Sequence, residues 1–179
     1  MRKLSEEDLL ANYAKGQREF SEVDLSDAEL FEAKIPAINL SNSYLQNVYL
    51  PYANLTYSNL EGAQLQGAQL SNATLLRAHL TRANLRGADF SRANLQSANL
   101  QKADLSGADL CGANLSHANL AGADLRGTDL RGANLSGAKL ERAKLQGANC
   151  FRAQKANLDE AEIDSNTVFP DGYRQFNEL

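Results

Sequence analysis

The sequence predicts an all-β solenoid, a chain that runs extended for a few residues, turns through a fixed angle and repeats about one axis. Three observations carry this. From Ala63 to Leu145 every fifth residue is Leu or Phe, the residue two before it is nearly always Ala, and Gly often stands two after it. Fixed self-similarity marks a repeat architecture. Five residues advance about 500° on an α-helix, so the leucines would spiral instead of forming a stripe. In a flat strand Leu65 and Leu70 would face opposite ways. Only a chain that turns at each repeat sends every Leu to a common core.

Corner chemistry agrees with that geometry. With each Leu as a centre, the second following position is Gly at Gly62, Gly67, Gly87, Gly107 and six further units, while Pro36 and Pro51 hold the first following position. A type II turn wants that pair, Pro at its first central residue and a left-handed residue at its second. Units with Arg, Ser, Asn or Lys in place of Gly are expected to turn differently. Ala fits the inward site beside a corner, where space is short.

Units such as Ala83-Asn84-Leu85-Arg86-Gly87 and Ala108-Asp109-Leu110-Cys111-Gly112 resemble the pentapeptide-repeat proteins and their A(D/N)LXX motif. The resemblance spans residues 18–165 and implies a right-handed quadrilateral β-helix with four units per coil. Centres from Phe20 to Cys150 then make about 27 units and roughly seven coils. The expected organisation is an N-terminal helical cap over 1–17, the β-helix over 18–165 and a C-terminal cap or tail over 166–179.

Each part has its own signals. Over residues 5–15, Ser5 can cap a helix with Asp8 three residues on, Leu4 and Leu9 can form a hydrophobic staple, and Leu9, Leu10, Tyr13 and Ala14 make an apolar face ending before Gly16. Solenoids need such a cover over an open core end. From Phe20 to Leu60 the repeat is degenerate, with Val23, Ile38, Ser43, Val48 and Ser58 in place of Ala. In the regular part Leu65, Leu85, Leu105, Leu125 and Leu145 should stack in one column. After Cys150 eight residues, not five, precede the next centre, Leu158; we expect an excursion there, near 151–157, with Lys155 outward. Pro170-Asp171-Gly172 followed by Tyr173 and Phe176 signals a turn and an aromatic tail that closes the second end or meets a like partner, a possible homodimer through a rod end.

Catalytic signals are sparse. His79 and His117 fall outward in different units on different faces, so neither has a partner for acid–base or metal chemistry. Cys111 falls at a corner and Cys150 inward roughly 10 Å along the axis, beyond the reach of a disulfide. The glycines fall one per turn without a phosphate-loop pattern. No apolar run is long enough to cross a membrane as a helix, and the charged start, Met1 to Asp8, lacks the apolar stretch of a signal peptide. The sequence is thus read as cytoplasmic and non-enzymatic, without cofactor or metal.

Two surface features are candidates for recognition. Between Lys34 and Glu61 there is no charged residue, and Tyr44, Tyr49, Tyr52 and Tyr57 fall outward, a composition suited to contact with another protein. The resemblance supplies an alternative, because some pentapeptide-repeat proteins imitate duplex DNA and inhibit DNA gyrase. The matching surface would be Asp89, Asp109 and Asp129 on one face with Asp104 and Asp124 on the next. Residues 36–149, however, hold seven acids and ten bases, including Arg86, Arg92, Arg126 and Arg131 on those two faces. The net charge of −4 comes from the ends. A mixed-charge face screens its own field, which places protein binding ahead of mimicry. Direct nucleic-acid binding is not expected, since a basic stripe with interleaved aromatics is absent. Asn54, Asn94, Asn114 and Asn134, and likewise Asn59, Asn99 and Asn119, stack before their centres and are read as scaffold.

Overall fold

A computed structural model describes residues 1–174 of the chain. Its body is a β-helix in which parallel bridges join residues 20 apart and the chain turns at every fifth residue. Four bridge ladders result. One runs Glu19, Asn39, Asn59, His79, Asn99, Asn119, Lys139; the next runs Asp24, Tyr44, Gln64, Asn84, Asp104, Asp124, Lys144. The third runs Glu29, Tyr49, Gln69, Asp89, Asp109, Asp129, Asn149, and the fourth Lys34, Asn54, Thr74, Asn94, Asn114, Asn134, Gln154. Each flat has room for only a short extended segment between corners. The only regular strands among the described residues are therefore β1 (Arg2–Lys3) and β2 (Val23–Asp24), paired in parallel at the N-terminal edge.

The core is one continuous column of centres and inward Ala residues. Leu65, Leu85, Leu105, Leu125 and Leu145 are all at most 1% exposed. Backbone bonds tie each coil to the next, as in Leu85 N to Asp104 O at 2.7 Å and Asp104 N to Ala83 O at 3.0 Å. Extended backbone is thereby satisfied throughout the stack, as burial requires.

The corners differ from the sequence expectation. All 27 corner positions from Glu22 to Arg152 have φ between +53° and +69°, whether the residue is one of ten glycines or an Arg, Lys, Tyr or Asn. Glycine and non-glycine units close alike: Ala63 N donates to Leu60 O at 3.1 Å and Ala78 N to Leu75 O at 3.0 Å. Stacking sets the corner. The N–H of Arg77 must reach Gln96 O in the adjoining coil, at 3.0 Å, and only the left-handed conformation points it there.

At the start, helix α1 (Glu6–Ala14) has Ser5 as its N-cap, whose Oγ accepts from Asp8 N at 3.1 Å. Leu4 and Leu9 are buried in the common core, Tyr13 packs against it and its hydroxyl donates to Pro36 O at 2.7 Å. Leu10 and Ala14 do not share that face: Leu10 is 39% exposed and Ala14 is exposed, because the helix leans on the coil through one narrow stripe.

The break after Cys150 shortens a coil by two residues. Ala153 is still buried and Gln154 still pairs with Asn134. The chain then leaves the surface at Lys155, which is exposed with φ +51°, and returns at Leu158. The Lys139 ladder receives no further bridge, and the later pairings shorten to 18 residues, Lys144 to Glu162, and 19, Asn149 to Val168. Thr167 is fully buried and Phe169 packs on the core, followed by a turn to an antiparallel bridge between Val168 and Arg174. Tyr173 is 70% exposed, and its carbonyl accepts from Phe169 N at 2.8 Å. Phe176 lies outside the described residues.

Candidate functional site

The residue before each centre faces outward, and its side chain is largely occupied by the corner that follows. Asn54, Asn94, Asn114 and Asn134 each accept, through Oδ1, the N–H two residues on, at 3.0 to 3.1 Å. Asn114 and Asn134 also donate to the Asn one coil earlier at 3.4 Å. This is an Asx turn repeated along a column, and it makes these residues part of the scaffold.

The five acids do the same work. Asp89, Asp104 and Asp109 accept from the N–H of Ser91, Ser106 and Cys111 at 2.8, 3.0 and 2.8 Å. Asp124 and Asp129 accept from Arg126 and Arg131, first through the backbone and then through a fork of guanidinium bonds, closing at 2.5 Å in both. The Arg126 guanidinium, hydrogen-bonded to Asp124, holds that carboxyl below its usual range, and Arg131 does so for Asp129. The acids stack as two columns, but the two at the C-terminal end are neutralised by their own units.

His79 lies exposed on the first ladder and His117 exposed at a left-handed corner. Cys111 is half-buried, Cys150 fully buried, and both are free. Burial pushes the Cys150 thiol up to about 11. Among the described residues no group of three His, Cys, Asp or Glu side chains is placed to hold a metal ion, and no helix is long and apolar enough to cross a membrane.

The four tyrosines all lie in the coil 41–60 but do not form one patch. Tyr44 is on the second ladder, and Tyr57 is at the corner after the fourth, where Arg77 Cζ lies 5.9 Å from its ring centroid. Tyr49 and Tyr52 are brought together by a residue that sequence reasoning missed. The Phe31 ring stacks on Tyr49 at a centroid distance of 6.1 Å and meets Tyr52 edge-on at 5.9 Å. Phe31 is 50% and Tyr52 57% exposed. The signal was available in the 20-residue repeat, since Phe31 stands one coil before Pro51, directly before Tyr52.

Pentapeptide repeats match over residues 38–75, 75–112 and 111–147 in eight copies. The chain belongs to the pentapeptide-repeat family. Among solved pentapeptide-repeat structures it is similar to HetL from the cyanobacterium Nostoc sp. strain PCC 7120, a protein involved in heterocyst differentiation regulation. The two are 29% identical over 96% of this chain and 100% of HetL, with a TM-score of 0.38. A pentapeptide repeat protein of the Arabidopsis thaliana thylakoid lumen is 32% identical over 66% of this chain and 72% of its own, with a TM-score of 0.41. QnrB1, a plasmid-mediated fluoroquinolone resistance protein, is 20% identical over 82% of this chain and 80% of its own, with a TM-score of 0.42. No curated protein matches this pentapeptide-repeat chain significantly.

Proposed function

We propose that this pentapeptide-repeat chain is a non-enzymatic scaffold that acts by binding another protein. In this reading it is a right-handed quadrilateral rod of roughly seven coils, covered at one end by α1 and at the other by the Thr167–Arg174 segment. The observation that carries the reading is the Phe31–Tyr49–Tyr52 cluster, two of whose rings are at least half exposed at a corner that is polar in the two following coils, Ser71-Asn72 and Ser91-Arg92. Exposed aromatic clusters of this kind anchor protein partners. DNA mimicry of the gyrase-inhibitor type draws less support, because Asp124 and Asp129 already carry Arg126 and Arg131.

The test is affinity capture from the native cell with the wild-type chain and with Phe31→Ser/Tyr52→Ser. Loss of a specific partner at unchanged thermal unfolding is the expected result, and undiminished capture would remove the cluster from the reading. A supercoiling assay addresses the alternative: gyrase inhibition that disappears in Asp109→Asn/Asp129→Asn would make the acidic columns the site.

A further inference from the structure

Three aromatic rings of this chain carry one of its own guanidinium groups. Arg18 Cζ lies 3.7 Å from the Tyr13 ring centroid, Arg77 5.9 Å from Tyr57 and Arg152 5.0 Å from Phe151. The Phe31–Tyr49–Tyr52 cluster has no such cation among the described residues, although it offers three rings at one corner. Its rim is acidic instead. Glu29 is joined by a parallel bridge to Tyr49 in the next coil, and Glu32, in the same turn as Phe31, stands one coil before Tyr52, its N–H donating to Pro51 O at 3.0 Å. Glu6 brings a third carboxylate, whose Oε2 accepts from Glu29 N at 3.0 Å. Between Arg18 and Lys34 the chain has six acids and no base. Lys34 itself belongs to the adjoining flat, on the Asn54 ladder.

Aromatic faces attract cations, and nearby carboxylates reinforce that attraction while repelling phosphates and acidic peptides. A planar guanidinium can stack on a ring and fork to a carboxylate at once, which an ammonium cannot. Resting on the scaffold reading above, we infer that the Phe31–Tyr49–Tyr52 corner docks an arginine-bearing basic segment of a protein partner. The guanidinium lies on the exposed face of Phe31 or Tyr52 and bonds to Glu29 or Glu32. The corner supplies from outside the cation that Tyr13, Tyr57 and Phe151 each take from within the chain.

The test uses the full chain and a fluorescent Gly-Ser peptide carrying three arginines, with lysine and glutamate versions as comparisons. The arginine peptide should bind more tightly than the lysine peptide, and the glutamate peptide not at all. Phe31→Ser/Tyr52→Ser, which leaves the net charge unchanged, should weaken the arginine peptide about tenfold, and Glu29→Gln/Glu32→Gln should do likewise. Absence of binding to the wild-type chain, or equal binding to Phe31→Ser/Tyr52→Ser, would overturn the inference. A photo-crosslinker at position 52 in the native cell separates this from the scaffold reading. A crosslinked protein displaced by the arginine peptide supports the inference. One that resists displacement overturns it and leaves the scaffold standing, and no crosslinked protein at all overturns both.

Discussion

Thr128 Oγ1 donates a 2.9 Å hydrogen bond to the carbonyl of Leu105, 23 residues earlier in the neighbouring coil. Ser43 makes the equivalent bond to Phe20 O at 3.2 Å. Both hydroxyls replace the inward Ala and find a carbonyl that the Ala does not use. Ser58 holds the same inward position, yet its Oγ is buried without a partner. An unsatisfied buried hydroxyl costs about 1–3 kcal/mol, so Ser58→Ala should stabilise the protein by about 1 kcal/mol. Thr128→Ala should destabilise it by a similar amount and Thr128→Ser by less. Urea unfolding midpoints of the three variants check this, and a lower midpoint for Ser58→Ala would contradict it.

The periodicity made the core legible because every fifth residue is fixed by packing alone. Spacing alone places Leu105 and Ala103 in the core, where both are at most 1% exposed. The corners were harder to read. Arg77, Lys102 and Tyr52 have poor local preference for positive φ, and only the stacked coil imposes it on them. The contact cluster was half legible. Tyr49 and Tyr52 stood out in a charge-free stretch, whereas Phe31 is an isolated corner residue among acids until the 20-residue stacking sets it beside them. Leu10 fits an apolar helix pattern but misses the coil because α1 touches it along one stripe.

Corner strain gives a second prediction. Lys102 has φ +59° and an exposed side chain, in a turn closed by Ala103 N to Leu100 O at 3.0 Å. Lys102→Gly should therefore stabilise the fold by about 0.5–1 kcal/mol, the relief of left-handed strain outweighing the added freedom of the unfolded chain. Gly107, at φ +67° with open space around it, isolates the conformational effect from crowding. Gly107→Val should cost about 1–3 kcal/mol and Gly107→Asn much less. Equal unfolding midpoints for the Val and Asn variants would count against a backbone origin.

The two thiols should react differently. Cys150 is fully buried and its thiol is pushed up to about 11, while Cys111 is half-buried at a corner. Only the thiolate is the nucleophile. One thiol per folded chain should react with a disulfide reagent at pH 8, and Cys111→Ser should abolish that reaction. The second thiol should appear only in denaturant. Two reactive thiols in the folded wild-type chain would place Cys150 at the surface.

Acid should act on the Asp124–Arg126 and Asp129–Arg131 pairs in a defined direction. Both carboxyls are held below the ordinary value of 3.8, first by the side-chain bonds from their arginines. A folded-state pKa below the unfolded one contributes stability that is present above the unfolded value and lost as pH falls through the folded one. Asp124→Asn/Asp129→Asn keeps an Oδ1 that can accept the corner N–H but removes the charge, isolating the ion pairs from the Asx turns. The double variant should be less stable than the wild type at pH 7, by under about 1 kcal/mol per pair because the arginines are largely in water. That difference should shrink in molar salt, which screens the pairs, and fade as the pH falls from 3.8 through the lower folded-state values. Thermal unfolding of both proteins across pH 2 to 7 measures it. A difference that persists undiminished at the acid end would assign the loss to the turn and not to the charge.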